Sequence, residues 1–73
     1  MKKAYLYWYK SSETSITQYI YIIAYSNKQA FYYFNKNNYT TMYDYGNAYV
    51  VIEEFKFSKR HNIGEILGAN AII

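Results

Sequence analysis

Residues 19–25, Tyr-Ile-Tyr-Ile-Ile-Ala-Tyr, form an uncharged run in which six of seven side chains are aromatic or β-branched. Such a run favours a strand, because branched and ring side chains pack well on a pleated surface. Left at a sheet edge it would template association with other chains, so the fold has to surround it. Extended back to Ile16, the segment alternates, with Ile16, Gln18, Ile20, Ile22 and Ala24 on one side and Thr17, Tyr19, Tyr21, Ile23 and Tyr25 on the other. Both sides are largely apolar, which predicts a central strand with Ile20 and Ile22 turned toward the covering layer. The run is far short of the ~18 apolar residues of a membrane helix, so no membrane partner is expected.

Residues 4–10 alternate as well, Leu6 and Trp8 against Tyr5, Tyr7 and Tyr9, and the polar stretch 11–15 has the length of a hairpin loop. Ser26 follows the central strand, and Gln29 stands three residues on. This is a capping box: the Ser26 hydroxyl accepts from the residue-29 N–H while the Gln29 side chain reaches back to the Ser26 N–H. The box predicts a helix over 27–37 with an apolar stripe of Ala30, Phe31 and Phe34, broadened by Tyr33. Lys28, Asn35 and Lys36 face solvent, Asn37-Asn38 stops the helix, and Ala24 and Ala30 allow a close crossing on the sheet.

Residues 39–57 read as a second hairpin, with strands over 39–45 and 48–57 and a type II′ turn at Gly46-Asn47; a loop over 39–45 is the alternative. A bulge at Glu53-Glu54 would bring Val50, Ile52, Phe55 and Phe57 to one side. Residues 58–62 make a charged turn, and 63–73 suggest a short helical turn carrying Ile63, Ile66 and Leu67, then an extended end. The expected fold is therefore a single α+β domain, residues 1–73, in ββαββ order. It has a small antiparallel sheet of about four strands with one helix packed on one face.

A chain of 73 residues buries only about 60% of its unfolded surface, and with no cysteine and one histidine it has neither a disulfide nor a Cys/His zinc staple. Twelve tyrosines must supply much of the buried area, their hydroxyls hydrogen-bonded or wet. One helix covers one sheet face. Strand alternation places Tyr5, Tyr7 and Tyr9 away from Leu6 and Trp8, and Tyr19, Tyr21 and Tyr25 away from Ile20 and Ile22. These six tyrosines are the candidate interface, either for a homodimer or for a partner.

The inventory of reactive groups predicts no enzyme. His61 is the sole histidine, in a basic turn, and reads as a solvated loop residue; Glu53 and Glu54 are adjacent on a strand and, unless bulged, point to opposite faces, a poor acid/base pair. No metal-ligand spacing and no phosphate-cradling glycine loop appears, so no cofactor is expected. Net charge is +3, too little for a dense nucleic-acid face, though Lys56, Lys59 and Arg60 form a secondary basic site. Exposed tyrosines flanked by lysines are also how single-stranded nucleic acid is stacked, which is the alternative function. Met1-Lys2-Lys3 opens like a signal peptide, but the apolar stretch behind it is short and half tyrosine. A cytoplasmic location is expected.

Residues with AT-rich codons (Phe, Tyr, Met, Ile, Asn, Lys) make up 41 of 73 positions, and proline is absent. In size and composition the chain resembles the small early accessory proteins of bacteriophages that infect AT-rich bacteria. That resemblance implies a stoichiometric inhibitor or modulator in the host cytoplasm. Its target would be a host protein or protein–nucleic acid complex: a defence nuclease such as a CRISPR effector, or the transcription, repair or replication machinery.

Overall fold

The computed structural model describes residues 2–11, 13, 16–53 and 61–68, and for 48–53 the backbone alone. Its elements are β1 (Lys3–Lys10), β2 (Thr17–Ala24), α1 (Asn27–Lys36), α2 (Tyr39–Met42), β3 (Asp44–Glu53) and β4 (Ile66–Gly68). The strands form one antiparallel sheet in the order β3-β1-β2-β4, an α+β fold with the helical layer on one face. The uncharged run lies in β2, with β1 on one side and β4 on the other, so it is central as its composition requires. β2 and β3 both pair antiparallel to β1, so they run parallel to each other and α1 is the crossover between them.

α1 begins at its capping box. Ser26 has extended φ/ψ, and its hydroxyl accepts from the Gln29 N–H at 3.1 Å. The return bond differs from expectation: the Gln29 side chain accepts from the Tyr25 N–H at 2.7 Å rather than from Ser26. The helix ends at Asn37, and Asn38 takes the left-handed conformation at φ 68° that lets the chain turn into α2. Ala30 and Phe34 are the buried stripe of α1, with Tyr33 at its margin; Phe31, expected in the stripe, is exposed at its flank.

Three expectations are corrected by the sheet. Residues 39–42 form α2, not a strand, and Gly46-Asn47 lies inside β3 rather than at a turn. Gly46 faces Trp8 in register, and a Cβ there would overlap the indole ring, so the glycine provides close approach and not a turn conformation. The sheet irregularity falls between Asn47 and Val51, where β3 carries two more residues than the facing Tyr5–Tyr7 segment of β1. The bulge expected at Glu53-Glu54 lies outside the described residues. Ile66 and Leu67 are in a strand, not a helical turn, since Gly64 at φ 90° swings the chain onto the edge of β2. There the Gly64 N–H donates to the Ile23 carbonyl at 2.8 Å and the Ile23 N–H to the Glu65 carbonyl at 3.0 Å. The extended end expected at 71–73 also lies outside the described residues.

Register decides what the core contains. Tyr5 pairs with Ile22 and Tyr7 with Ile20, and residues directly opposite share a face. The face under α1 therefore holds Tyr5, Tyr7, Ile20, Ile22 and Ala24 together with Ala30 and Phe34, flanked by Tyr9, Tyr33, Tyr39 and Ile66. Phe34 is stacked between the rings of Tyr7 and Tyr39, with centroids at 4.6 and 4.9 Å. The tyrosine hydroxyls reach polar partners at the start of the helix: Tyr5 donates to the Tyr25 carbonyl at 3.4 Å and Tyr7 to Asn27 Oδ1 at 3.3 Å. A phenylalanine would keep the ring but could not close those bonds.

Candidate functional site

The six-tyrosine face does not form. Tyr5 and Tyr7 are 7% and 1% exposed beneath α1, and Tyr9 packs on the same face against Tyr39 and Tyr43, with centroids at 4.9 and 4.7 Å. Tyr19 and Tyr21 lie on the opposite face, and Tyr25 is exposed at the start of α1. The secondary basic site, Lys56, Lys59 and Arg60, lies outside the described residues. His61 is not a freely solvated loop residue: its Nδ1 is 2.5 Å from Glu65 Oε2, and its carbonyl accepts from Lys2 Nζ at 3.0 Å. Hydrogen bonds from His61 and from the Asn62 N–H hold the Glu65 carboxyl below the usual carboxylate range.

Two aromatic surfaces remain. One is the sheet face away from α1. Its rows run Ala4 with Ile23, Leu6 with Tyr21 and Leu67, Trp8 with Tyr19 and Gly46, and Lys10 with Thr17 and Asp44. The Ala4–Ile23 row is fully buried, Leu6, Trp8, Tyr21 and Leu67 are half-buried, and Tyr19 is exposed. At one end of this face Lys10 stands opposite Asp44; at the other Glu65 lies opposite Ile23, bonded to His61, whose carbonyl accepts from Lys2.

The other surface is the outward side of α1. Lys28, Tyr32 and Lys36 recur at intervals of four, with Phe31 and Asn35 beside them, and all five are exposed. Tyr32 and Phe31 are 57% and 41% exposed, and the Lys36 ammonium lies 5.9 Å from the centre of the Tyr32 ring. Phe31 leans on Tyr45 of β3 at 6.2 Å, and Tyr45 is itself 40% exposed. α1 carries two lysines and no carboxylate. Reading Phe31 as core concealed this surface; the signal was that Phe31 precedes Tyr32 on a helix already filled inwardly by Ala30, Tyr33 and Phe34.

Among the described residues no group of three His, Cys, Asp or Glu side chains gathers to hold a metal ion, and no helix is long and apolar enough to cross a membrane. The chain matches no family model, no curated protein and no solved structure.

Proposed function

We propose that this is a non-catalytic binding protein that seats the outward side of α1 on an acidic protein surface and modulates its partner stoichiometrically. The observation that carries the reading is the exposure of Phe31 and Tyr32 between Lys28 and Lys36 on a helix without a carboxylate. Aromatic rings supply rigid contact area at low entropic cost, and the two cations select a partner of opposite charge and speed encounter with it. A small basic chain of AT-rich codon usage, acting this way in the cytoplasm, fits the style of a phage accessory protein directed at a host defence, transcription, repair or replication factor.

The rings of Trp8, Tyr19 and Tyr21 on two central strands favour a second reading, stacking of single-stranded nucleic acid on the open sheet face. Against it, Lys10 of that face stands opposite Asp44, and phosphate needs a surplus of cations. Affinity capture from lysate of an AT-rich bacterium, with and without nuclease, separates the two. A partner retained after nuclease by the wild type, and lost by the Phe31→Ser/Tyr32→Ser and Lys28→Glu/Lys36→Glu variants, supports docking through α1. Loss of every partner on nuclease treatment supports the second reading.

A further inference from the structure

We propose that the sheet face away from α1 is covered by a second copy of this chain, giving a twofold dimer in which two sheets pack face to face and both α1 helices point outward. The proposal is independent of what α1 binds.

The first argument is charge. The whole chain is +3, so two copies repel unless the surfaces brought together are neutral. Among the described residues, this face balances Lys10 with Asp44 at one end, carries Glu65 with His61 and Lys2 around the buried Ile23 row at the other, and between them is apolar or aromatic: Leu6, Trp8, Tyr19, Tyr21 and Leu67. An acidic partner or a nucleic acid would find no net charge to read here. A second copy presents a face of the same neutral and apolar kind, which is the self-complementarity an isologous contact requires.

The second argument is size. Four strands about 4.8 Å apart, with eight residues rising about 3.3 Å each along the central pair, give a footprint of roughly 20 by 25 Å. With β4 only three residues long, the usable footprint stays below the roughly 800 Å² per partner of a standard interface, which fits a weak dimer that forms at tens of micromolar. The row at one end, Ala4 with Ile23, is already buried within the chain, which leaves the Leu6 and Trp8 rows as the centre of the contact and the Lys10 row as its rim. The layers would then run helix, sheet, sheet, helix, with aligned sheets packed about 10 Å apart.

Sedimentation equilibrium over a concentration series, read together with the emission of the single tryptophan, Trp8, tests the assignment. The wild type should sediment at twice 8.8 kDa at tens of micromolar, and Trp8 emission should shift to shorter wavelength as the dimer forms. Tyr19→Lys with Tyr21→Lys should give a folded monomer with red-shifted Trp8 emission. If that variant fails to fold, the charge pair still decides. Lys10→Asp makes the described face doubly negative and Asp44→Lys makes it doubly positive, so each variant alone should dimerise at least tenfold more weakly, and the two mixed should recover a heterodimer. A wild type that remains at 8.8 kDa up to several hundred micromolar overturns the proposal. So does a dimer that neither the tyrosine nor the charge variants weaken, because it would use another surface.

Discussion

Gly46 and Trp8 are matched across β3 and β1: the indole lies where a side chain at 46 would have to go. The glycine is thus held by its neighbour's ring and not by its own backbone angles. Gly46→Ala should force the indole or the β3 backbone to shift, costing about 1–3 kcal/mol as other overpacked contacts do. A lowered urea midpoint together with a changed Trp8 emission checks this; a lowered midpoint with unchanged emission would put the strain elsewhere. Ser26 is the second residue on which a local structure turns. Its hydroxyl satisfies one N–H of the first turn of α1, so Ser26→Ala should cost about 1 kcal/mol while leaving the fold intact. Circular dichroism should keep its shape as the midpoint falls, and an unchanged midpoint would remove the cap from the account.

At the scale of elements, β1, β2 and α1 were legible in the sequence because each carries its own signal: a period of two, an uncharged run, a capping box. What no single strand carries is which of its faces meets the helix. Leu6 and Trp8 are the more apolar set on β1, and composition alone favours them over the tyrosines for the covered face. The hairpin register instead sets Tyr5 and Tyr7 beside Ile22 and Ile20, and their hydroxyls find acceptors at the start of α1. Gly46-Asn47 has the composition of a turn, and the reason it lies in a strand is the ring of Trp8 on another strand, a tertiary cause that local pattern does not contain. β4 is only three residues long, pairs with Ile20–Ile22 of β2 and is led onto that edge by the bonds of Gly64 and Glu65 with Ile23, a tertiary cause that the helical spacing of its apolar residues does not show. The shared face has a measurable consequence. Ile22 is fully buried among Tyr5, Ala24 and Phe34, and Ile22→Ala should cost about 2–5 kcal/mol. A domain of 73 residues has about 4–11 kcal/mol in all, so the variant should lose a large share of its stability and melt well below the wild type; a cooperative melt near the wild-type midpoint would show that the core is elsewhere.

At the scale of the whole molecule, the two edges of the sheet are fastened by groups that titrate in opposite directions. The β4 edge is held where Glu65 meets His61 and the Asn62 N–H. The folded pKa of Glu65 is depressed, so this clip stabilises the fold above the ordinary carboxylate range and is lost as pH falls through the folded value. On the β3 side, just before the chain enters that edge strand, Tyr39 of α2 packs between Tyr9 of β1, Tyr43 and Phe34. Burial, with Tyr9 and Tyr43 adding to it, raises the Tyr39 pKa. Its neutral hydroxyl therefore favours the fold below the unfolded phenol value of about 10, and the contribution is lost as pH rises through the folded one. The molecule should accordingly loosen from different edges at the two extremes. In acid, amides of Ile66–Gly68 should gain exchange while Trp8, which lies over Gly46 beside β3, keeps its emission. In alkali, Trp8 emission should change as α2 and β3 loosen, before the β2–β4 pairing is lost. Glu65→Gln, which keeps an acceptor for the Asn62 N–H, should abolish the acid step only. Tyr39→Phe, which keeps the ring on Phe34, should move the alkaline step to higher pH only. A single transition that both substitutions shift together would mean that the edges do not open separately and that the domain melts as one unit at either extreme.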